Sequence, residues 1–240
     1  MLRIETLIIL TLLLAACGGT GEDKADGPPV AWWTFDEGEG KTAADASGNL
    51  NTAYIRNARW GSGRISGALQ MDGGNDGIVT IPLSDSLRST AQAVTVMGWA
   101  YRTAEHNVNL VGHGYPQLFL GFHGPRFKWQ LQNSSKEEAR CYADPKYRAE
   151  LDQWFHLAGT YNGRTALLYV NGEQICSDWL WRGGDLVMTE MPFTISGYLD
   201  EDGNIIDEIT GRVDDVRIYN RALGAGEINA IYEAASKPAF

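Results

Sequence analysis

His113, Tyr115, His123, Arg126, Lys128 and Gln130 fall close together in the chain and between them carry the groups that β-elimination on a uronic-acid glycan requires. A His and a Tyr serve as base and acid, while Arg, Lys or Gln neutralises the uronate carboxylate before the α-proton leaves. Plainer roles stand beside that one: His113 in Val111-Gly112-His113-Gly114 reads as a loop residue, and His123-Gly124-Pro125 as a turn. From Phe127 the chain alternates, so Lys128, Gln130 and Gln132 share one face of a strand and Phe127, Trp129 and Leu131 the other. With the apolar set in a core, the polar set lines a groove that exchanges hydrogen bonds with sugar hydroxyls. Trp179 and Trp181 flank Leu180 and share a face if that segment is extended. Exposed indoles there would stack on pyranose rings, core packing being the alternative use of a Trp.

Other chemistries find no support. There is no Ser/His/Asp elbow, phosphate-binding Gly loop or thiolate zinc pattern. The formal net charge of −10 argues against nucleic acid, whose phosphates need a basic surface, and is compatible with neutral glycans, basic surfaces or bound Ca²⁺.

The elements that must position these residues are strands. Trp154 to Cys176 holds two Asn-Gly pairs, Asn162-Gly163 and Asn171-Gly172, between runs rich in apolar, aromatic and β-branched residues. Asn-Gly is the strongest short-range hairpin signal, because both central positions of a type I′ turn need φ > 0. A three-stranded meander over 155–161, 165–170 and 173–176 follows, with Phe155, Leu157 and Tyr161 on one face and His156, Ala158 and Thr160 on the other. The acidic stretch from Asp200 to Glu208 departs from an EF-hand in spacing and is expected to be a hairpin turning at Asp202-Gly203-Asn204. No long helical pattern precedes residue 223, after which Leu223, Ile228, Ile231 and Tyr232 are spaced for a short closing helix. Short strands in a chain of this length indicate one large all-β domain, a sandwich or jelly roll.

At the N-terminus, Arg3, the apolar run from Leu7 to Leu14, and Ala15-Ala16 before Cys17 form a secretory signal too short for a stable membrane span. Leu14-Ala15-Ala16-Cys17 also resembles a bacterial lipobox, in which Cys17 is diacylated and becomes the first mature residue. Residues 1–17 are then signal, 18–29 a flexible tether rich in Gly, Asp and Glu, and 30–240 the folded domain. The expected location is the cell envelope, with the lipid as the sole membrane attachment and Gly18 resembling lipoproteins sent to an outer membrane or cell surface. Of the three cysteines, Cys141 and Cys176 then remain in an oxidising compartment, where a disulfide is the default and two separate thiols the alternative.

Taken in order, several segments carry a family resemblance: Ala31-Trp-Trp-Thr-Phe-Asp-Glu-Gly, Asp45-Ala-Ser-Gly-Asn-Leu-Asn, Gly67-Ala-Leu-Gln-Met-Asp-Gly-Gly, Val94-Thr-Val-Met-Gly-Trp-Ala, Trp154-Phe-His-Leu-Ala-Gly-Thr-Tyr and Gly211-Arg-Val-Asp-Asp-Val-Arg-Ile-Tyr. The chain resembles the laminin-G-like, concanavalin A-like lectin/glucanase superfamily. That implies a jelly roll of two antiparallel sheets with ligands on its concave face. The resemblance also implies a structural Ca²⁺ on the convex side, with Asp45 and Asp214 as ligands, Asp36 and Asn51 as further ones, and backbone oxygen near Gly48. The paired-carboxylate strand of the superfamily's retaining glucanases is missing, and so are the Arg-rich and Gln-x-His signatures of its alginate-lyase branch. The expected function is a lipid-anchored, calcium-stabilised module that binds a polysaccharide, a glycoprotein or an envelope protein. A surface polysaccharide lyase is the alternative, and a purely structural envelope partner a third reading.

Overall fold

The computed structural model describes residues 27–74, 76–114, 117–180, 182–200 and 202–236. The lipobox cysteine Cys17, the signal segment and most of the expected tether lie outside them, as do Tyr115 and Trp181.

Among the described residues the strands are, in chain order, β1 (Ala31–Trp33), β2 (Thr42–Ala43), β3 (Ala53–Arg56), β4 (Arg59–Ser62), β5 (Gly67–Asp72), β6 (Ile78–Ile81), β7 (Val94–Arg102), β8 (Val108–His113), β9 (Leu118–His123), β10 (Arg126–Gln132), β11 (Glu138–Tyr142), β12 (Trp154–Tyr161), β13 (Thr165–Val170), β14 (Glu173–Trp179), β15 (Phe193–Ile195), β16 (Tyr198–Leu199), β17 (Ile205–Ile206) and β18 (Thr210–Tyr219). A helical turn, α1 (Asp85–Arg88), precedes β7, and α2 (Ala225–Ser236) follows β18. The first sheet runs β14-β13-β12-β7-β18-β5-β4, with β1 also on β18, and the second runs β11-β10-β9-β8-β15-β6-β3-β2. All pairings are antiparallel, and β16 with β17 makes a separate hairpin. This is the all-β, two-sheet jelly roll expected, with one C-terminal helix.

Alternation decides which residues lie between the sheets. Phe127, Trp129 and Leu131 are buried there with Phe155, Leu157 and Tyr161 from the opposite sheet. Trp129 donates to the Thr160 carbonyl at 3.1 Å, and a Cβ on Gly159 would stand 2.4 Å from its ring. Only a residue without a side chain lets the indole cross at that point. On the outer face of the first sheet, Met97, Ala158, Tyr169 and Tyr219 pack under Leu223 and Ile228 of the helical segment. Leu223 N–H donates to Thr95 Oγ1 at 2.8 Å, pinning the entry to α2 onto β7.

The meander forms over β12 to β14, with its two turns built differently. Asn171 (φ 49°) and Gly172 (φ 81°) are both left-handed, as a type I′ turn requires. At the first turn only Gly163 (φ 90°) is left-handed. Asn162 instead accepts from Arg164 N–H and Thr165 N–H, so Gly163 and Arg164 are the central pair and the Gly-first pattern of a II′ turn results.

Candidate functional site

The outer face of the second sheet is free of the closing helix. Along β10, Arg126, Lys128, Gln130 and Gln132 point to this side, their register partners on β11 being Tyr142, Arg140 and Glu138 for the last three. Tyr142 stands among them. Its hydroxyl donates to Gln130 Oε1 at 3.4 Å, its ring meets the exposed His123 ring edge-on at 5.2 Å, and the Arg126 guanidinium lies 5.5 Å over it. Arg126 is tied down by the Ala143 and Tyr142 carbonyls at 2.9 and 3.1 Å. Gln132 donates to Glu138 at 3.2 Å. Amide donors and acceptors therefore flank a partly exposed phenol, a combination suited to sugar hydroxyls and a pyranose face.

The β16–β17 hairpin, turning at Asp202-Gly203-Asn204 as expected, roofs the neighbouring part of this face. Asp200 caps the turn, accepting from Asp202 and Asn204 N–H. Tyr198 packs on Phe119 at 5.1 Å, Gly197 N–H donates to the Asn109 carbonyl at 2.7 Å, and Asn109 N–H to the Asp207 carbonyl at 3.0 Å. Lys128 is consequently only 6% exposed, its ammonium 5.4 Å over the Phe119 ring. Burial lowers its pKa, and the nearby Asp207 works against that.

The residues expected to act together are distributed over more than this face. His123, Arg126, Lys128 and Gln130 do share it. His113 does not: it is fully buried on the interior side, stacked on Phe193 at 4.5 Å and accepting from Thr189 N–H through Nε2. Burial pushes its pKa down to about 4. The expectation that His113 works with Lys128 is thus corrected, because an in-facing strand position sends its ring away from the groove. Trp179 is 65% exposed and stands on the edge strand of the other sheet, opposite Thr165. Tyr142 was missed in the sequence, although its alternation with Cys141 and Arg140 was readable.

The expected calcium ligands do not fit one ion. Asp45 accepts backbone N–H groups from Trp32 and Ser47 through Oδ1 and from Asn51 through Oδ2, at 2.9 to 3.0 Å. Burial pushes its carboxyl up, but these bonds hold it below its usual value. The Asn51 side chain is taken by Val30 O, Ser84 and Ser86, and Gly48 is an exposed loop position. Asp214 and Asp36 sit elsewhere, beside Ile65 and Gly67. Among the described residues no group of three or more His, Cys, Asp or Glu is gathered that could hold a metal ion. Asp45 and Asn51 instead make a hydrogen-bonded corner.

Cys141 and Cys176 are both thiols, on β11 and β14, the edge strands of the two sheets, and the buried Cys141 thiol donates to the Ala166 carbonyl at 3.9 Å. Their interaction lowers the Cys176 pKa and, together with burial, raises that of Cys141.

The chain belongs to the concanavalin A-like lectin/glucanases superfamily, whose Laminin_G_3 profile matches residues 72–229. Among solved structures, it is similar to domain 4 of AbnA, an extracellular arabinanase from Geobacillus stearothermophilus solved in complex with arabinotriose. That similarity has a TM-score of 0.64 at 18% identity, over 85% of this chain and 98% of that one. The binding domain of Paraclostridial Mosquitocidal Protein 1 superposes with a TM-score of 0.71 at 15% identity, over 86% of this chain and 52% of that one. The binding domain of botulinum neurotoxin DC, solved in complex with SialylT, gives 0.62 at 16% identity over 86% and 51%. The chain spans about half the length of the toxin binding domains it matches. No curated protein matches it in sequence.

Proposed function

We propose that this protein is a carbohydrate-binding module, held to the outside of a bacterial envelope by lipid on Cys17, that engages a polysaccharide or glycoprotein along β10 and β11. The observation that carries the reading is the juxtaposition of Gln130 with Tyr142, with Gln132 further along the same row, on the helix-free sheet face. The arabinotriose complex of AbnA domain 4 supports a sugar as ligand class. The Leu14-to-Cys17 lipobox supports the anchor and the location. Polysaccharides retained by the soluble domain should be lost in Gln130→Ala and Tyr142→Ala, and retention unchanged in both variants would refute the site.

One observation keeps elimination as a second reading. His123, Tyr142, Arg126 and Gln130 converge on the same face, Tyr142 supplying the phenol sought at Tyr115. Growth of ultraviolet absorbance from unsaturated uronate, abolished in Tyr142→Phe, would establish a lyase. Retention of a uronic-acid glycan without that absorbance would establish binding alone.

A further inference from the structure

A cavity of about 610 Å³ lies on the outer face of the first sheet, between β1, β18 and the second half of α2. It is separate from the β10–β11 face. Its apolar walls are Trp32, Ile65, Ala230, Ile231, Ala234 and Ala235, the three alanines leaving the space that larger side chains would fill.

The charged lining is unbalanced, with the carboxylates of Asp36, Asp214 and Asp215 against the single guanidinium of Arg217. Asp215 is satisfied by Trp32 Nε1–H at 2.6 Å and Arg217 at 3.0 Å, and Arg217 in turn lies 4.4 Å over the Trp32 ring. Asp214 differs. It is 1% exposed, and its Oδ2 accepts from Arg64 and Ile65 N–H at 2.7 and 2.9 Å, while its Oδ1 is buried without a partner. A buried carboxylate oxygen left unpaired is costly, and a donor carrying positive charge is its natural complement. A bare ion would leave most of the apolar volume empty. A cavity of this size, mostly apolar with a few polar groups in its wall, is dimensioned for an organic molecule.

We propose that this cavity binds a primary ammonium head group carrying a short apolar body, with the ammonium donating to Asp214 Oδ1 and the body packed against Trp32 and the alanines of α2. The ligand class is an amphiphilic amine, and the site is independent of the carbohydrate reading.

The test is isothermal titration of the full chain at pH 8 with hexylammonium chloride, hexanol and calcium chloride as separate probes. Two variants accompany it: Asp214→Asn, whose carbonyl still accepts from Arg64 and Ile65, and Ala235→Leu, which fills the cavity from the helix. The expected result is saturable one-to-one binding of hexylammonium, about tenfold or more tighter than hexanol and weakened about tenfold in each variant. Absence of saturable binding, or equal binding to Asp214→Asn, would overturn the proposal. So would calcium binding through Asp214 while hexylammonium stays silent, which would assign the carboxylate to an inorganic ion.

Discussion

His156 is fully buried on the outer face of β12, its ring 5.2 Å from Trp99 and 6.0 Å from Tyr232, with neither ring nitrogen hydrogen-bonded. Burial pushes its pKa down to about 3 and that of His113 to about 4, both from 6.5, so both rings are neutral in the fold. Below pH 6.5 the unfolded chain takes up two protons that the fold refuses, and stability falls on acidification. Asp214 has the opposite sign: burial raises its carboxyl to about 6 from 3.8, so between those values the fold holds a proton that the unfolded chain releases. Two protons against one leaves a net loss of roughly 1.4 kcal/mol per pH unit between about pH 6 and 4. Urea unfolding across that range should show it, and His156→Phe should make the slope shallower. A slope unchanged in the variant would mean that His156 titrates normally in the fold.

At the scale of elements, the crossing of Trp129 over Gly159 ties the two sheets together through the core. Gly159→Ala would drive a methyl into the indole and should destabilise the domain by about 1–3 kcal/mol, read as a lowered Tm. Along one side of the sandwich β11 meets β14, with Arg140 N–H donating to Asp178 at 2.8 Å beside the two thiols. Oxidation of Cys141 and Cys176 by oxidised glutathione, two thiol protons and two electrons passing to the oxidant, should close a loop of about 35 residues and stabilise by roughly 3 kcal/mol. Cys176→Ser should abolish the gain, and a Tm indifferent to oxidant would contradict the pairing. The strands themselves were legible because period-2 alternation and Asn-Gly turns are local signals. The first hairpin shifted by one residue because Asn162 spends its side chain on capping Arg164 and Thr165 N–H, a choice that pattern alone does not reveal.

For the whole molecule, legibility ends where function requires two distant segments to meet. The polar row of β10 was readable from six consecutive residues. That His113 turns inward, that Tyr142 joins the row, and that the β16–β17 hairpin roofs Lys128 all depend on sheet order and register, which no local pattern encodes. The same limit divided the expected calcium ligands, since Asp45 closes its own loop and Asp214 belongs to a cavity under α2. What emerges is a sandwich with its helix on one outer face and an amide-and-phenol surface on the other. The most direct test of that division is the two-dimensional ¹⁵N–¹H spectrum of the domain, titrated with whichever polysaccharide it retains. The account predicts that the side-chain amides of Gln130 and Gln132 shift together and saturate, with the Trp179 indole unaffected. Movement of the Trp179 indole while both amides stay fixed would contradict it and place the ligand on the opposite sheet.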